Sequence, residues 1–171
     1  MALSQNKLNG WNTDQIQSVV KMVKENPEAG RIRFQTRSKW DGGFGVDSHT
    51  EEIGMLNQAV PRKFTLRGDH PQELLGMNTG PTAVETLFAA LGSCIAGTYA
   101  AQATARGINI DDLEVEVDGS IDLQGFFQLA PIRAGPSEIK VNVRVKSDNA
   151  EKSKLLEFHG IIDNFAQNFS L

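Results

Sequence analysis

Alternating apolar and polar residues predict three strands in the first half of the chain. The alternation covers residues 31–37, 46–53 and 63–67. A period of two residues is typical of a strand with one buried face. Residues 40–44 contain two adjacent glycines and favour a turn between the first two strands, because glycine adopts positive φ without steric cost.

Two strictly alternating segments follow in the second half. Residues 113–118 interleave apolar residues with acidic ones, whereas residues 139–145 interleave them with mostly basic ones. As neighbouring strands they would match in charge on their polar faces, which is worth roughly 0.2–1 kcal/mol per cross-strand pair. We therefore expect the two segments to pair.

Apolar residues at helical spacing predict three helices. The first begins near residues 12–13 and ends before Pro27. The second begins at Pro81 and stops at Gly107, a C-cap residue, so that its length of about 37 Å suggests that it crosses the whole core. A third is expected after residues 148–151, with an apolar face formed by Leu155, Leu156, Ile162, Phe165 and Phe169. After the first helix the order is β-β-β-α-β-β-α, which predicts an α+β fold.

The composition fits a soluble globular protein and excludes several classes of function. The net charge of −4 gives no reason to expect a nucleic-acid partner. The single cysteine excludes an internal disulfide and a zinc site of the CxxC type. Residues 1–10 lack the apolar core of a secretory signal, so we expect a cytoplasmic protein.

The predicted central helix contains twenty residues without a charge, at 86–105. This length could span a membrane. Its many alanines, together with serine, threonine and glutamine, make it only weakly hydrophobic, which favours a buried helix of a soluble protein. We expect no membrane partner.

Small residues recur every four positions along this helix: Ala89, Ser93, Gly97, Ala101 and Ala105. Small side chains allow two backbones to approach closely. The close neighbour is either the chain's own sheet or last helix, or the same helix of a second copy in a homodimer. The stripe alone favours neither alternative.

Cys94 lies beside this stripe in the middle of the helix. A lone cysteine is usually a small buried apolar residue. A reactive thiol would need solvent access and an activating group. The positions one helical turn away are Ala90, Leu91, Gly97 and Thr98, so an activating group must come from elsewhere in the fold or from a partner chain.

Glu85 is the only charged residue of the predicted helix before Arg106. It is placed to interact favourably with the helix N-terminus. It could instead be an active-site carboxylate, but in one straight helix it lies about 180° and about 13 Å from Cys94. A catalytic pair of the two residues therefore requires a second, antiparallel copy of the helix.

No metal or cofactor is expected. The three histidines, His49, His70 and His159, lack metal-ligand spacing, and their roles are expected to lie at the surface or in capping. The sequence contains no GxGxxG, Walker A, GxSxG or HExxH motif.

Residues 80–94 resemble the OsmC/Ohr family, the osmotically inducible protein C and organic hydroperoxide resistance proteins. The segment Gly-Pro-Thr-Ala-Val-Glu-Thr-Leu-Phe-Ala-Ala-Leu-Gly-Ser-Cys carries the pattern Pro-x-x-x-Glu-x-Leu-x-x-Ala-Leu-Gly-x-Cys. The resemblance covers roughly residues 30–171 and implies an OsmC-like domain there, with residues 1–29 as a helical extension. It also implies an intertwined homodimer in which antiparallel sheets wrap long central helices.

The resemblance implies a chemistry as well. Peroxidases of the family reduce organic hydroperoxides with two cysteines, one that attacks the peroxide and one that resolves the resulting sulfenic acid as a disulfide. An arginine from the N-terminal strands, paired with a glutamate, favours the thiolate of the first cysteine.

Carried over to this chain, Cys94 matches the attacking cysteine, and the second cysteine is absent. Trp40 falls at about the place of the arginine, with Arg37 as a possible substitute. Glu85 follows a variant of the family in which the glutamate stands one residue later than in the best-known peroxidases, where Val84 lies here. These departures exclude the two-cysteine mechanism within one subunit.

Two hypotheses of function follow. In the first, the protein is a one-cysteine thiol peroxidase of the oxidative stress response, with Cys94, Glu85 and Arg37 as catalytic residues and an external thiol as reductant. In the second, it is a non-catalytic family member in which Cys94 is structural. A small apolar ligand would then bind at the dimer interface, against Phe126, Phe127 and Trp40.

Overall fold

A computed structural model of the protein describes residues 7–56, 58–151 and 154–155. The chain forms two compact units: the sheet unit, residues 18–87, and the helix unit, residues 1–17 with 88–171. The helices and strands are β1 Lys7–Leu8, β2 Trp11–Asn12, α1 Thr13–Glu25, β3 Ile32–Phe34, β4 Arg37–Gly42, β5 Gly45–Met55, β6 Gln58–Gly68, α2 Ala83–Ala105, β7 Asp112–Ser120, α3 Leu123–Phe126 and β8 Glu138–Lys146. Mixed helices and antiparallel sheets confirm the predicted α+β class.

The sheet unit is built on the long strand β5. On one side of β5 lies β6, and on the other lie β3 and β4, all antiparallel to it. The prediction of a single strand over 31–37 is wrong, because β3 pairs with the far end of β5 and β4 with its beginning. The alternation of side chains continues across the break, so the pattern alone could not reveal it.

The helix unit confirms the predicted pairing of the second half. β7 and β8 form an antiparallel pair in which Leu113 faces Val145 and Glu114 faces Arg144. The Arg144 guanidinium lies 2.7 Å from the Glu114 carboxylate and 3.3 Å from that of Glu116. The charge match thus sets the polar face, while the valines supply the apolar face.

Helix α2 has one covered side and one bare side. Tyr99 and Ala103 are buried, and the core that they form with Ile108 packs against the apolar face of β7 and β8. The helix ends before Gly107, whose φ of +71° confirms the predicted C-cap. Exposed α2 residues gather on the opposite side, the bare side, which comprises Ala83, Ala90, Ser93, Cys94 and Gly97.

The two ends of the chain add to this frame. Helix α1 confirms the first predicted helix and begins where Asn12 accepts a hydrogen bond from the Gln15 N–H. The last predicted helix falls outside the described residues, apart from residues 154–155, which are helical. The predicted boundary after residue 29 stays a prediction.

The small hairpin of β1 and β2 was not predicted, and its turn residue Asn9 binds the C-terminal end of α2. The Asn9 amide donates to Thr104 Oγ1 at 3.0 Å and to the Ile108 carbonyl at 2.9 Å, and its oxygen accepts from the Ile110 N–H at 2.8 Å. One side chain therefore satisfies backbone groups that the end of a helix leaves unpaired.

We expect Asn9→Gly to lower the free energy of unfolding by about 1–3 kcal/mol, because three hydrogen bonds are lost and a backbone N–H is left unpaired. Asn9 has a φ of 51°, which glycine also adopts, so backbone strain does not contribute. Urea unfolding measures the change. Asn142→Gly would not serve as a control because it lies within a strand, so Asn9→Asp is compared. An Asn9→Gly protein as stable as the wild type would contradict this role.

Candidate functional site

Cys94 lies on the bare side of α2, and its side chain is exposed. No described residue forms a hydrogen bond or an ion pair with its thiol. This placement differs from the structural alternative of the sequence analysis, in which a lone cysteine is a buried apolar residue. The helix thus presents the sulfur outward on a surface without charge.

Glu85 caps the first turn of α2. Its carboxylate accepts a hydrogen bond from the Thr82 N–H at 2.7 Å, while its own N–H donates to Thr82 Oγ1 at 3.1 Å. This reciprocal pair is a capping box. The hydrogen bonds from Thr82, with a smaller contribution from the nearby His70, lower the pKa of Glu85. The carboxylate is therefore ionised and committed to the helix end.

Arg37 and Trp40 lie on the same strand, β4, but three residues apart, so their side chains lie on opposite faces of the sheet. Arg37 pairs with His49 of β5 and lines a recess of about 200 Å³ together with Gln35, His49, Glu51 and Glu52. The Trp40 indole N–H donates to the Gly43 carbonyl at 2.9 Å, and its ring is exposed. The structure does not bring these two predicted residues together.

Phe126 and Phe127 do contact each other. Their rings are 5.0 Å apart between centroids and meet edge to face, and both are exposed. The short helix α3 presents them, capped by the Asp122 carboxylate, which accepts from the Gln124 N–H. Among the predicted site residues, Cys94 and this pair belong to the helix unit, whereas Arg37, Trp40 and Glu85 belong to the sheet unit.

The sequence analysis did not foresee a groove between α2 and β7. The groove has a volume of about 450 Å³ and is open to solvent. Its walls are small or apolar side chains, namely Phe88, Ala89, Gly92, Ser93, Ala96, Val115 and Val117. Ala89 and Ser93 belong to the predicted small-residue stripe, which was the only signal for the groove in the sequence.

A second feature that the sequence analysis missed is a buried carboxylate before α2. Asp69 is only 2% exposed and accepts hydrogen bonds from the backbone N–H groups of His70, Met77 and Thr79, and from Thr79 Oγ1 at 2.7 Å. The side-chain hydrogen bond from Thr79 and then the backbone ones lower its pKa to about 2. These contacts fix residues 69–80, the 69–80 loop.

Arg67 joins this loop to the sheet. Its guanidinium binds the Asp41 carboxylate at 2.5 Å and that of Asp47 at 3.3 Å, while its Nε donates to Thr79 Oγ1 at 3.3 Å. The hydrogen bond to Asp41 is the largest of the causes that raise the pKa of Arg67. The network supports the fold of the sheet unit and contains no free nucleophile.

Two further observations limit the chemistry. Within residues 7–56, 58–151 and 154–155, no group of three or more histidine, cysteine, aspartate or glutamate side chains is arranged to hold a metal ion. By length and composition α2 could cross a membrane, a test that the core helices of soluble proteins also pass.

Comparison with known proteins identifies the family. A family model described as OsmC-like protein matches residues 76–164, just over half of the chain, including α2, β7 and β8. No curated protein sequence matches the chain. Proteins of the OsmC-like family are soluble.

Solved structures share the fold at low identity. An OsmC like protein from Mycoplasma pneumoniae is 18% identical, with a TM-score of 0.60 over 81% of this chain and 89% of that one. A provisionally assigned osmotic stress induced and detoxification response protein from Psychrobacter arcticus 273-4 is 12% identical, with a TM-score of 0.56 over 74% and 80%. The organic hydroperoxide resistance protein OhrB of Bacillus subtilis is 18% identical, with a TM-score of 0.44 over 77% and 84%. The chain belongs to the OsmC family.

Proposed function

We propose that this protein is a one-cysteine thiol peroxidase that reduces small organic hydroperoxides in the cytoplasm as part of an oxidative stress response. The observation that carries the proposal is the exposed Cys94 thiol on the uncharged bare side of α2. A redox thiol must be reached by its substrate, and an apolar surface suits an organic hydroperoxide.

The reaction balances with one cysteine. The Cys94 thiolate attacks the O–O bond of the hydroperoxide, which leaves Cys94 as a sulfenic acid and releases an alcohol after the leaving oxygen takes a proton. An external thiol then condenses with the sulfenic acid, releasing water and forming a mixed disulfide. A second external thiol attacks this disulfide and restores Cys94. No second cysteine of this chain is needed.

We propose that the active form is a homodimer packed through the bare side of α2. A Cβ built on Gly97 would meet nothing within 4 Å in the chain itself. A glycine inside a helix costs roughly 0.5–1 kcal/mol relative to alanine, so the chain has no reason of its own to keep one there. Close approach of a second backbone supplies the reason, and an identical helix is self-complementary.

In this dimer Glu85 and Arg37 of one copy are the proposed partners of Cys94 in the other. Glu85 cannot reach Cys94 along its own helix, and no described residue contacts the thiol. The capping box keeps the Glu85 carboxylate ionised, which would hold a nearby arginine close to the sulfur. The arginine would favour the thiolate over the thiol.

The test measures Cys94 reactivity in the native protein. We expect alkylation of the thiol to rise with pH to a midpoint well below the value of about 8.5 for a free cysteine. We also expect stopped-flow assays with cumene hydroperoxide and an added thiol to show turnover that Cys94→Ser abolishes. Thr98→Ser, one turn along α2, serves as the control. Consumption of hydroperoxide that does not depend on Cys94 would contradict the proposal.

The α2–β7 groove favours a second candidate function, the binding of a small apolar ligand without catalysis. The groove is lined by small and apolar side chains, and the exposed Phe126–Phe127 pair belongs to the same unit. Trp40 is a further proposed contact in the dimer. This alternative predicts an inert Cys94 thiol over the whole pH range, together with binding of an apolar fluorescent probe that Phe127→Ser weakens. A reactive thiol with Cys94-dependent turnover would contradict it.

A further inference from the structure

The tip of the 69–80 loop presents large apolar side chains to solvent. Leu75 is 83% exposed and Met77 is 77% exposed, with Leu74 beside them partly exposed. Exposed apolar side chains that cluster in this way mark an interaction surface more often than isolated ones do. The tip therefore needs an explanation that the single chain does not give.

The backbone of Leu75 strengthens this point. Leu75 has a φ of 66° and a ψ of 21° at the end of a short 3₁₀ turn, Gln72–Leu74. This left-handed conformation is unfavourable for a residue with a Cβ, and glycine is the usual choice at such a position. Because the side chain is almost fully exposed, packing within the chain does not hold leucine there. An unexplained strained residue of this kind points to function.

The loop is also fixed in place. The buried Asp69 carboxylate accepts from the N–H of Met77, within the tip, and from that of Thr79 just beyond it. Gly76 lies so close to the His70 carbonyl that no other residue would fit, since a Cβ there would be 1.9 Å from its oxygen. A surface that is already ordered loses little conformational freedom on binding.

The tip is continuous with the bare side of α2. The Asp69 N–H donates to the Pro81 carbonyl at 3.1 Å, and Thr82 caps the helix, so the loop and the first turn of α2 form one piece. The bare side begins in that turn, at Ala83. Residues 68–82 contain no lysine or arginine, so the tip lacks the charge that an anionic lipid surface attracts.

We propose that the tip formed by Leu74, Leu75 and Met77 is a docking element that a second copy of this chain covers. The inference rests on the homodimer of the proposed function and extends it, since each copy would contribute its tip to the interface beside α2. Leucine is then kept at a position that suits glycine because its side chain is buried in the dimer.

Sedimentation velocity over a range of concentrations tests the proposal on the full chain. We expect Leu75→Gly and Met77→Gln to weaken dimerisation about tenfold or more, with an unchanged far-UV circular dichroism spectrum. Leu56→Gly is the matched control, because Leu56 also has a left-handed φ, 47°, but lies in the turn after β5. The control relieves the same strain and should leave the dissociation constant unchanged.

The outcomes separate this inference from the proposed function. A monomeric wild type at micromolar concentration overturns the homodimer and the docking tip together. A dimeric wild type whose affinity is the same in both tip variants overturns the docking tip alone. Equal weakening by Leu56→Gly also overturns it, because the effect would then not be specific to the tip. If Leu75→Gly fails to fold, Met77→Gln decides, since the Met77 side chain is exposed.

Discussion

Asp69→Ala is expected to lower the melting temperature by roughly 5–10 °C. The substitution removes an acceptor that satisfies the N–H groups of His70, Met77 and Thr79 and the Thr79 hydroxyl. These donors lie inside the 69–80 loop, where solvent replaces the lost acceptor poorly. Thermal unfolding followed by circular dichroism measures the change.

The matched control is Asp118→Ala, which removes an exposed carboxylate from β7. Such a surface substitution is expected to shift the melting temperature by about 2 °C or less. If Asp69→Ala were no more harmful than Asp118→Ala, the hydrogen bonds of Asp69 would not stabilise the loop.

Asp69 also makes stability depend on pH in a defined direction. Its pKa of about 2 in the folded protein lies below the ordinary value of 3.8. The contribution of the ionised carboxylate is therefore fully present above about pH 4 and is lost as the pH falls toward 2. Asp69→Asn cannot ionise, so its stability should decline less than that of the wild type over this interval. Equal acid sensitivity in both proteins would contradict the low pKa.

Ala90→Cys in a Cys94→Ser background is expected to form an intermolecular disulfide nearly completely on mild oxidation, whereas Gly97→Cys should not. If Glu85 lies beside Cys94 of the partner subunit, two antiparallel α2 helices cross near residues 89–90. The residue on the bare side at that level is Ala90, which would meet its own copy at the twofold axis. Only a pair of residues at the axis has Cα atoms close enough for a disulfide.

The competing geometry follows from the small-residue stripe, whose middle is Gly97. An axis there would cross-link Gly97→Cys, and Glu85 would stay far from the Cys94 thiol of either copy. Non-reducing gel electrophoresis distinguishes the two geometries. A link through Gly97→Cys would remove Glu85 from the proposed mechanism, and no link at either position would contradict packing through α2.

The parts of the fold that could be predicted are those with a strict local period. β7 and β8 alternate without a break, and α2 lies between Pro81 and Gly107, so their existence and the pairing of the two strands follow from the sequence. The split between β3 and β4 could not be predicted, because it depends on which part of β5 each strand pairs with. The hairpin of β1 and β2 was missed because strands of two residues show no period.

The candidate site was predictable to a similar extent. The family pattern marked Cys94, and the position of Glu85 near a helix start suggested the N-terminal interaction that the capping box now provides. Asp69 gave no signal, because its partners are up to ten residues away and are mostly backbone groups. The opposite faces of Arg37 and Trp40 follow from simple alternation once β4 is known to be a strand.

The bare side of α2 has a consequence for how the protein is made. The side opposite the core is as free of charge as the core side, so water is a poor solvent for both. If a second copy covers it, a newly synthesised chain completes its folding only on meeting another, and the two events become a single concentration-dependent transition. Dilution would then unfold the protein as effectively as heat, and chaperones would be needed most when expression is low.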